Sequence, residues 1–137
     1  MKFVGFNFKK INIEKKSDSF KGLKLNTKID ISSIDDVKSD FLKGDEKIIK
    51  ITFSYNINYD PDIAKITLEG NLLLALDKKD AKIVVDSWKN KKMSEEFRID
   101  LFNLILRKSN VRALELEEEM SLPLHLPFPT LKKPVKE

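Results

Sequence analysis

The chain has 137 residues and a formal net charge of +4, and 41% of its residues are hydrophobic, which favours one folded domain over a disordered or multidomain chain. It has no cysteine and one histidine, His125, which excludes disulfides, thiol nucleophiles, cysteine zinc sites and multi-histidine metal centres. No apolar run approaches the ~20 residues of a membrane helix, and polar residues interrupt the apolar N-terminus at once, so we predict a cytoplasmic protein that does not insert into membranes.

Residues 3–14 predict a strand whose apolar phase changes partway along. Its apolar residues include Val4, Phe6, Phe8, Ile11 and Ile13. The alternation shifts by one residue at Lys9 and Lys10, and such a shift inside one strand is typical of a β-bulge. We therefore expect one strand with a bulge or a bend at these two lysines.

A second strand is predicted over residues 23–31, where alternating apolar and polar residues indicate one buried and one solvated face. Residues 32–45 are predicted to form a polar connection that contains a short helical segment. Ser33 or Asp35 is the expected N-cap of this segment. Its apolar residues, spaced as in one or two helical turns, are Ile34, Val37, Phe41 and Leu42.

Two long strands follow, over residues 46–59 and 62–76. The first of them alternates without interruption, and one of its faces carries Ile49, Ile51, Phe53, Tyr55, Ile57 and Tyr59. Between the strands, Asp60-Pro61-Asp62 is a tight-turn sequence, so the two strands are predicted to form an antiparallel hairpin. Gly70 inside the second strand indicates a bulge or a close approach of another backbone.

The second half of the chain has helical spacing. Residues 78–90 predict one helix, and Ser94 is predicted to cap a longer helix that runs toward Met120. The longer helix has one apolar stripe of Phe97, Leu101, Leu104 and Ile105, followed by Lys108, and a second of Ile99, Phe102 and Leu106. Because a helix that is apolar on two faces is usually buried on two sides, we predict that the second stripe contacts a neighbouring subunit.

An acidic run and a proline-rich apolar segment follow. The acidic residues are Glu115, Glu117, Glu118 and Glu119, which carry the unfavourable charge for a helix C-terminus, so we expect a solvated last turn or, alternatively, a contact with a basic surface. Residues 120–131 contain three of the five prolines and must be extended. A segment this apolar either lies on the body of the protein or binds a partner.

Little catalytic chemistry is visible in the sequence. The four glycines are isolated, so there is no phosphate-binding loop, and no serine lies in a nucleophile elbow. His125 lacks a histidine or cysteine companion and is expected to be a surface or rim residue rather than a catalyst. We therefore predict a non-enzymatic protein without a cofactor or metal. Nucleic-acid binding is disfavoured, because the lysine-rich stretches lack interleaved aromatic residues.

Strands followed by helices predict an α+β fold: a four-stranded antiparallel sheet, a long helix packed on one face and an extended C-terminal segment rich in proline and leucine. This arrangement resembles the SecB family of export chaperones. The resemblance rests on the strand that opens with Phe6-Asn7-Phe8, on the central hairpin with Glu69-Gly70, and on the helix leading into Leu122-Pro123-Leu124-His125-Leu126-Pro127-Phe128. It covers most of the chain through pattern rather than identity, so the chain resembles a divergent member.

The sequence also departs from that family. The family's main helix usually begins with Leu-Phe-Pro and an Arg-Glu pair, whereas Leu101-Phe102 is followed here by Asn103. A second helix and an acidic tail are expected to be missing after Leu131, which leaves coupling to a translocation motor unsupported. We expect one SecB-like domain over residues 1–131 and a short disordered basic tail over residues 132–137.

The resemblance implies a homotetramer, built as a dimer of dimers, that holds unfolded polypeptides without ATP in apolar grooves, with protein export as one setting. The expected peptide-binding residues are Phe53, Tyr55, Ile57 and Tyr59, with Leu122, Leu124, Leu126 and Phe128 as a movable wall. For Phe53 and Tyr55, a place in the core beneath the helix is an equal alternative. The alternative function is a non-enzymatic adaptor or regulatory subunit with one specific partner, and a weaker third reading is a nucleic-acid-binding domain.

Overall fold

Four strands are followed by two helices in the computed structural model, which describes residues 2–37, 44, 46–131 and 134. The elements are β1 (Lys2–Lys15), β2 (Lys24–Val37), β3 (Glu46–Asp60), β4 (Ala64–Asp77), α1 (Lys78–Lys89) and α2 (Glu95–Glu119). The strands form one antiparallel sheet in the order β1-β4-β3-β2, so the β3–β4 hairpin is central and β1 and β2 are the edges. The predicted α+β architecture is confirmed.

The helices cover one face of the sheet, and the core lies between the helices and this face. The core face of the central hairpin is almost completely buried at Ile49, Ile51, Phe53, Tyr55, Ile57, Tyr59, Ile66, Leu68, Leu72 and Leu74. Burying one such large apolar side chain stabilises a fold by roughly 1.5–3 kcal/mol. The helix α1 and the first half of α2 pack over the part of the sheet that contains Phe53, and the second half of α2 packs over the part that contains Tyr55 and Tyr59.

A bulge in β1 keeps both of its apolar phases on the core face. The register shifts by one residue between Phe8 and Lys10, so Lys9 is the extra residue. Beyond it, Ile11 and Ile13 lie opposite buried residues of β4 and therefore remain on the core side of the sheet. The bulge predicted at this point is confirmed.

A bulge also occurs in β2, which extends beyond its predicted end. The register shifts at Ser32, which turns the buried side chain of Ile34 toward the core. Because β2 continues to Val37, the prediction of a helical segment that begins at Ser33 or Asp35 is wrong. A bulge shifts the alternation of apolar residues by one position, which produces a three-residue spacing like that of a helix. The remaining apolar residues of that prediction, Phe41 and Leu42, lie outside the described residues.

Gly70 is a point of close approach between β4 and its neighbours. A Cβ atom at this position would lie 2.3 Å from the backbone oxygen of Asn7 and 3.0 Å from both the Cα of Phe8 and the Cζ of Phe53. The ring of Phe53 also stacks on Phe6, with the ring centroids 5.1 Å apart. Only glycine leaves room for this packing, and the predicted close backbone approach is confirmed.

Both helices begin at capping side chains. An Asp77 carboxylate oxygen accepts the N–H of Asp80 at 2.7 Å, and the Oγ of Ser94 accepts the N–H of Phe97 at 3.3 Å, as predicted for Ser94. The C-cap of α1 is Asn90, in agreement with the predicted helix over residues 78–90. In the described part of the chain, no helix is long and apolar enough to cross a membrane.

Candidate functional site

The C-terminal strap, which we define as residues 122–131, begins directly after the turn that ends α2. Ser121 has a left-handed backbone with φ of 52°, and the N–H of Leu122 donates to the carbonyl of Glu117 at 2.9 Å, as in the Schellman type of helix end. Leu122 is buried in the same core cluster as Leu116 and Tyr59. Beyond it the strap contains neither helix nor strand, as its prolines predict.

A buried histidine–carboxylate pair fixes the first half of the strap to α2. The Nδ1 of His125 lies 2.8 Å from each carboxylate oxygen of Glu117, and the backbone N–H of His125 donates to Oε1 at 3.0 Å. The two side chains are 4% and 0% exposed. The expected surface position of His125 and the expected solvation of Glu117 are therefore wrong. The carboxylate of Glu117 can be buried because the N–H groups of His125 offset its lost hydration.

Two tyrosines and an asparagine complete a buried cluster, which we call the tyrosine–histidine network. The hydroxyl of Tyr59 donates to Oε2 of Glu117 at 2.8 Å. The hydroxyl of Tyr55 donates to Oδ1 of Asn110 and lies 3.1 Å from the Nε2 of His125. Burial raises the pKa of both tyrosines above its ordinary value, with the charge of Glu117 as a further cause, and for Tyr59 the hydrogen bond to that carboxylate also contributes.

The tyrosine–histidine network connects the strap to α2 and β3, and we also call it the latch. Its polar groups are paired with one another inside the core, where hydrogen bonds are electrostatically stronger than in water. It therefore stabilises the position of the strap. Among the described residues, no group of three histidine, cysteine, aspartate or glutamate side chains is placed to hold a metal ion.

The latch brings together the two halves of the predicted peptide-binding site. The hydroxyl of Tyr59 also lies 2.6 Å from the carbonyl oxygen of Pro123, so the strap lies on the end of β3. The predicted strand residues Phe53, Tyr55, Ile57 and Tyr59 are all buried in the core. They are covered by the helices and the strap, and a polypeptide can reach Tyr55 and Tyr59 only if the strap is displaced.

The second half of the strap presents apolar side chains to solvent. Leu124 is half-buried, whereas Leu126 is 40%, Phe128 54% and Leu131 104% exposed. The four residues predicted as a movable wall thus divide: Leu122 belongs to the core, and Leu126 and Phe128 are accessible in the structure as it stands.

The residues predicted to contact a neighbouring subunit also differ in exposure. Ile99 is about half exposed and Phe102 is half-buried. Leu106 is half-buried because it packs on the core cluster that contains Tyr55. Val111, which was not among the predicted interface residues, is more exposed than any of the three.

The partners of His125, which are Glu117 and Asn110, were not predicted from the sequence. A signal for Glu117 exists in the spacing of α2, because every fourth residue faces the sheet. The buried residues of that row are Leu101, Ile105, Ser109, Ala113 and Glu117. The row shows that Glu117 points inward, although its acidic neighbours favour a solvated turn.

A groove between α1 and the start of α2 was also missed. One part of it has a volume of about 320 Å³ and is lined by Leu76, Asp80, Ile83, Val84, Ser87, Lys92, Met93, Ser94 and Phe97. The adjoining part has a volume of about 460 Å³ and is lined by Ser87, Trp88, Lys89, Lys91, Met93 and Arg98. The helical spacing of the sequence predicts only that Trp88 lies on the apolar face of α1.

Comparison with solved structures finds a similar architecture. The SecB-like chaperone Rv1957 of Mycobacterium tuberculosis, solved in complex with a ChAD peptide from the Rv1956 HigA1 antitoxin, matches with a TM-score of 0.51 and 15% sequence identity over 98% of this chain and 92% of that chain. The chain has a SecB-like fold. No family model and no curated protein matches the sequence, so the likeness to SecB-like chaperones is one of fold.

Proposed function

We propose that this SecB-like protein is a chaperone that holds extended or unfolded polypeptides without ATP. Support comes from the fold and from the mycobacterial SecB-like chaperone, whose solved complex contains a peptide from another protein. The paired groups of the tyrosine–histidine network are in keeping with a binding protein rather than an enzyme. We place its activity in the cytoplasm and include polypeptides destined for export among its clients.

The observation that carries the proposal is the exposure of the strap's second half. Leu126, Phe128 and Leu131 expose apolar side chains close together along the chain. Single exposed apolar residues are common on soluble proteins, but a group of them is typical of a binding surface. Since the hydrophobic effect is non-directional, such a surface can hold many different sequences.

The edge of β2 adds a backbone surface for the same purpose. Its residues 24–31 pair with β3 without a register shift and form one edge of the sheet, and Leu25 within them is 40% exposed. An extended polypeptide can add to such an edge through backbone hydrogen bonds. We propose that this pairing supplements the side-chain contacts of the strap.

We further propose that displacement of the strap enlarges the apolar surface. Tyr55, Ile57 and Tyr59 share a core cluster with Leu122 of the strap. Release of the strap would therefore uncover these three predicted peptide-binding residues. Phe53 packs in the other cluster with residues of α1 and the first half of α2 and would stay covered.

The test is suppression of aggregation of a chemically denatured client protein on dilution. The parent is expected to suppress aggregation at stoichiometric amounts, and the double variant Leu126→Asp/Phe128→Asp to lose most of this effect. The control Ser121→Asp/Thr130→Asp adds the same charge at exposed polar positions nearby and is expected to behave like the parent. No suppression by the parent, or equal suppression by both double variants, would refute the proposal.

A second candidate function is that of an adaptor with one specific partner. It is favoured by the mycobacterial structure, in which the bound peptide comes from one named antitoxin. An adaptor would bind one native partner tightly and leave denatured clients to aggregate. The same aggregation assay therefore separates the two functions.

A further inference from the structure

The groove between α1 and α2 combines an accessible apolar lining with an open shape. Ile83, on its α1 side, is 53% exposed. Trp88 lines the adjoining part, and Met93 and Ser87 line both. The two parts therefore adjoin along α1, away from the contacts that the strap makes with Tyr59 and Glu117.

Cations surround the end of the groove beside Trp88. Lys89, Lys91 and Arg98 line this end, and no acidic residue does. None of these three side chains makes an ion pair or hydrogen bond with another described residue. By contrast, Lys15, Lys16, Lys28 and Arg112 pair with carboxylates elsewhere in the described part of the chain. An apolar surface edged by three unpaired cations has the chemistry to bind an amphipathic anion.

We propose that this groove binds an acidic, apolar segment of a client polypeptide, with an apolar side chain against Trp88 and Met93. The carboxylates of the segment would pair with the cations at the rim, where the planar guanidinium of Arg98 can make two parallel hydrogen bonds to one carboxylate. This inference rests on the proposed polypeptide-holding function and names a site and a sequence preference for it.

Charge and size both select this occupant. The chain's own residues 132–137 carry three lysines and one glutamate and would be repelled by the rim. The lining residues of α1 extend from Asp80 to Lys89, which corresponds to roughly 13 Å of helix. About four residues of extended peptide have this length, enough for two apolar side chains on one face and acidic residues between and beside them.

The test uses the fluorescence of Trp88, which is the only tryptophan of the chain. The probe is a synthetic peptide in which leucine and phenylalanine alternate with aspartate, and the control peptide has lysine in place of aspartate. The acidic peptide is expected to shift the emission of Trp88 saturably and to bind more weakly as salt is added. The basic peptide is expected to cause no shift at the same concentrations.

Two charge-reversal variants locate the site. Lys91→Glu/Arg98→Glu is expected to weaken binding of the acidic peptide about tenfold, as the loss of two exposed ion pairs allows. The control Lys10→Glu/Lys65→Glu makes the same change in net charge at exposed positions of the sheet that line no part of the groove and lie outside the β2 edge. It is expected to bind like the parent.

The outcomes separate this inference from the proposed function. If the parent suppresses aggregation but Trp88 does not respond to the acidic peptide, or if both charge-reversal variants weaken binding equally, the groove is not the site and the chaperone function stands. Displacement of the acidic peptide by a single-stranded oligonucleotide or by anionic vesicles would also overturn the assignment to a polypeptide. If the parent neither binds peptide nor suppresses aggregation, the proposed function itself fails.

Discussion

Glu117 and His125 are residues whose chemistry opposes their burial. A buried carboxylate loses its hydration, and the pair regains stability through the contacts of the His125 Nδ1 and backbone N–H with the carboxylate and through the hydroxyl of Tyr59. Each partner therefore needs the other. Removing one leaves an uncompensated polar group in the core, whereas removing both leaves a site that an apolar pair can fill.

A double-mutant cycle tests this dependence. His125→Leu is expected to lower the free energy of unfolding by about 3–5 kcal/mol, and Glu117→Leu/His125→Leu to recover most of that loss, as measured by urea denaturation. Glu118→Leu, an exposed neighbour on the same turn, is expected to change stability by less than about 0.5 kcal/mol. Additive losses for the two members of the pair would contradict the account of the latch.

The two tyrosines predict a specific response to alkaline pH. Tyr55 and Tyr59 are the only tyrosines in the chain, and burial and Glu117 raise the pKa of both hydroxyls. Their contribution is therefore complete below about pH 10, where unfolded tyrosine is still protonated, and is lost as the pH rises. Each tyrosine is expected to lower the free energy of unfolding by about 1.4 kcal/mol per pH unit above that point.

Tyrosinate absorbance measures this effect directly. The native protein is expected to show none in the range where the urea-unfolded chain is already ionised, and Tyr59→Phe is expected to halve the tyrosine-dependent part of the pH slope. Titration of the native protein at the ordinary tyrosine pKa would show that the network is open in solution.

The sequence predicted the inward direction of Tyr55 and Tyr59 but not their partners. The two tyrosines lie in an uninterrupted alternation, and alternation alone determines which face of a strand is buried. Glu117 lies in an acidic run whose local composition favours solvent, and its burial depends on the long-range contact with His125. Such a contact has no local signal, so the latch could not be inferred from either segment alone.

At the scale of elements, the prediction succeeded where one local rule applies without interruption. The β3–β4 hairpin follows from alternation on both sides of a turn sequence, and α2 follows from the Ser94 cap and its apolar spacing. The end of β2 was missed because the bulge at Ser32 changes the phase of alternation. The prolines correctly predicted the absence of helix in the strap, although they carry no information on how it is fixed.

Release of the strap tests whether the residues beneath it are groove or only core. His125→Ala is expected to free the strap and to raise the affinity for a permanently unfolded, fluorescently labelled polypeptide severalfold, because Tyr55, Ile57 and Tyr59 would add to the apolar surface. The control Thr130→Ala changes the strap without affecting the latch. If circular dichroism shows both variants folded and their affinities are equal, the inner residues serve only as core.

For the whole molecule, the apolar residues left exposed on α2 predict self-association. Ile99 and Val111 are each about half exposed or more, and Phe102 is half-buried. We propose that this surface contacts a second copy, as the SecB resemblance implies. Leu106 lies beneath this surface of α2 and supports it by packing on the core cluster that contains Tyr55.

Light scattering of the purified protein tests this proposal. The parent is expected to have the mass of a dimer or tetramer, and Ile99→Asp/Phe102→Asp that of a monomer. Asn103→Asp, an exposed position beside them, is expected to retain the parent mass. A monomeric parent would show that the exposed stripe of α2 has another use.

The central claim is that this SecB-like protein holds non-native polypeptides through its apolar surface. Calorimetric titration with a permanently unfolded polypeptide in the absence of ATP tests it most directly. The account predicts saturable binding with a negative heat-capacity change, the signature of apolar burial, and marked weakening in Leu126→Asp/Phe128→Asp. Absence of binding, or binding that this double variant leaves unchanged, would contradict it.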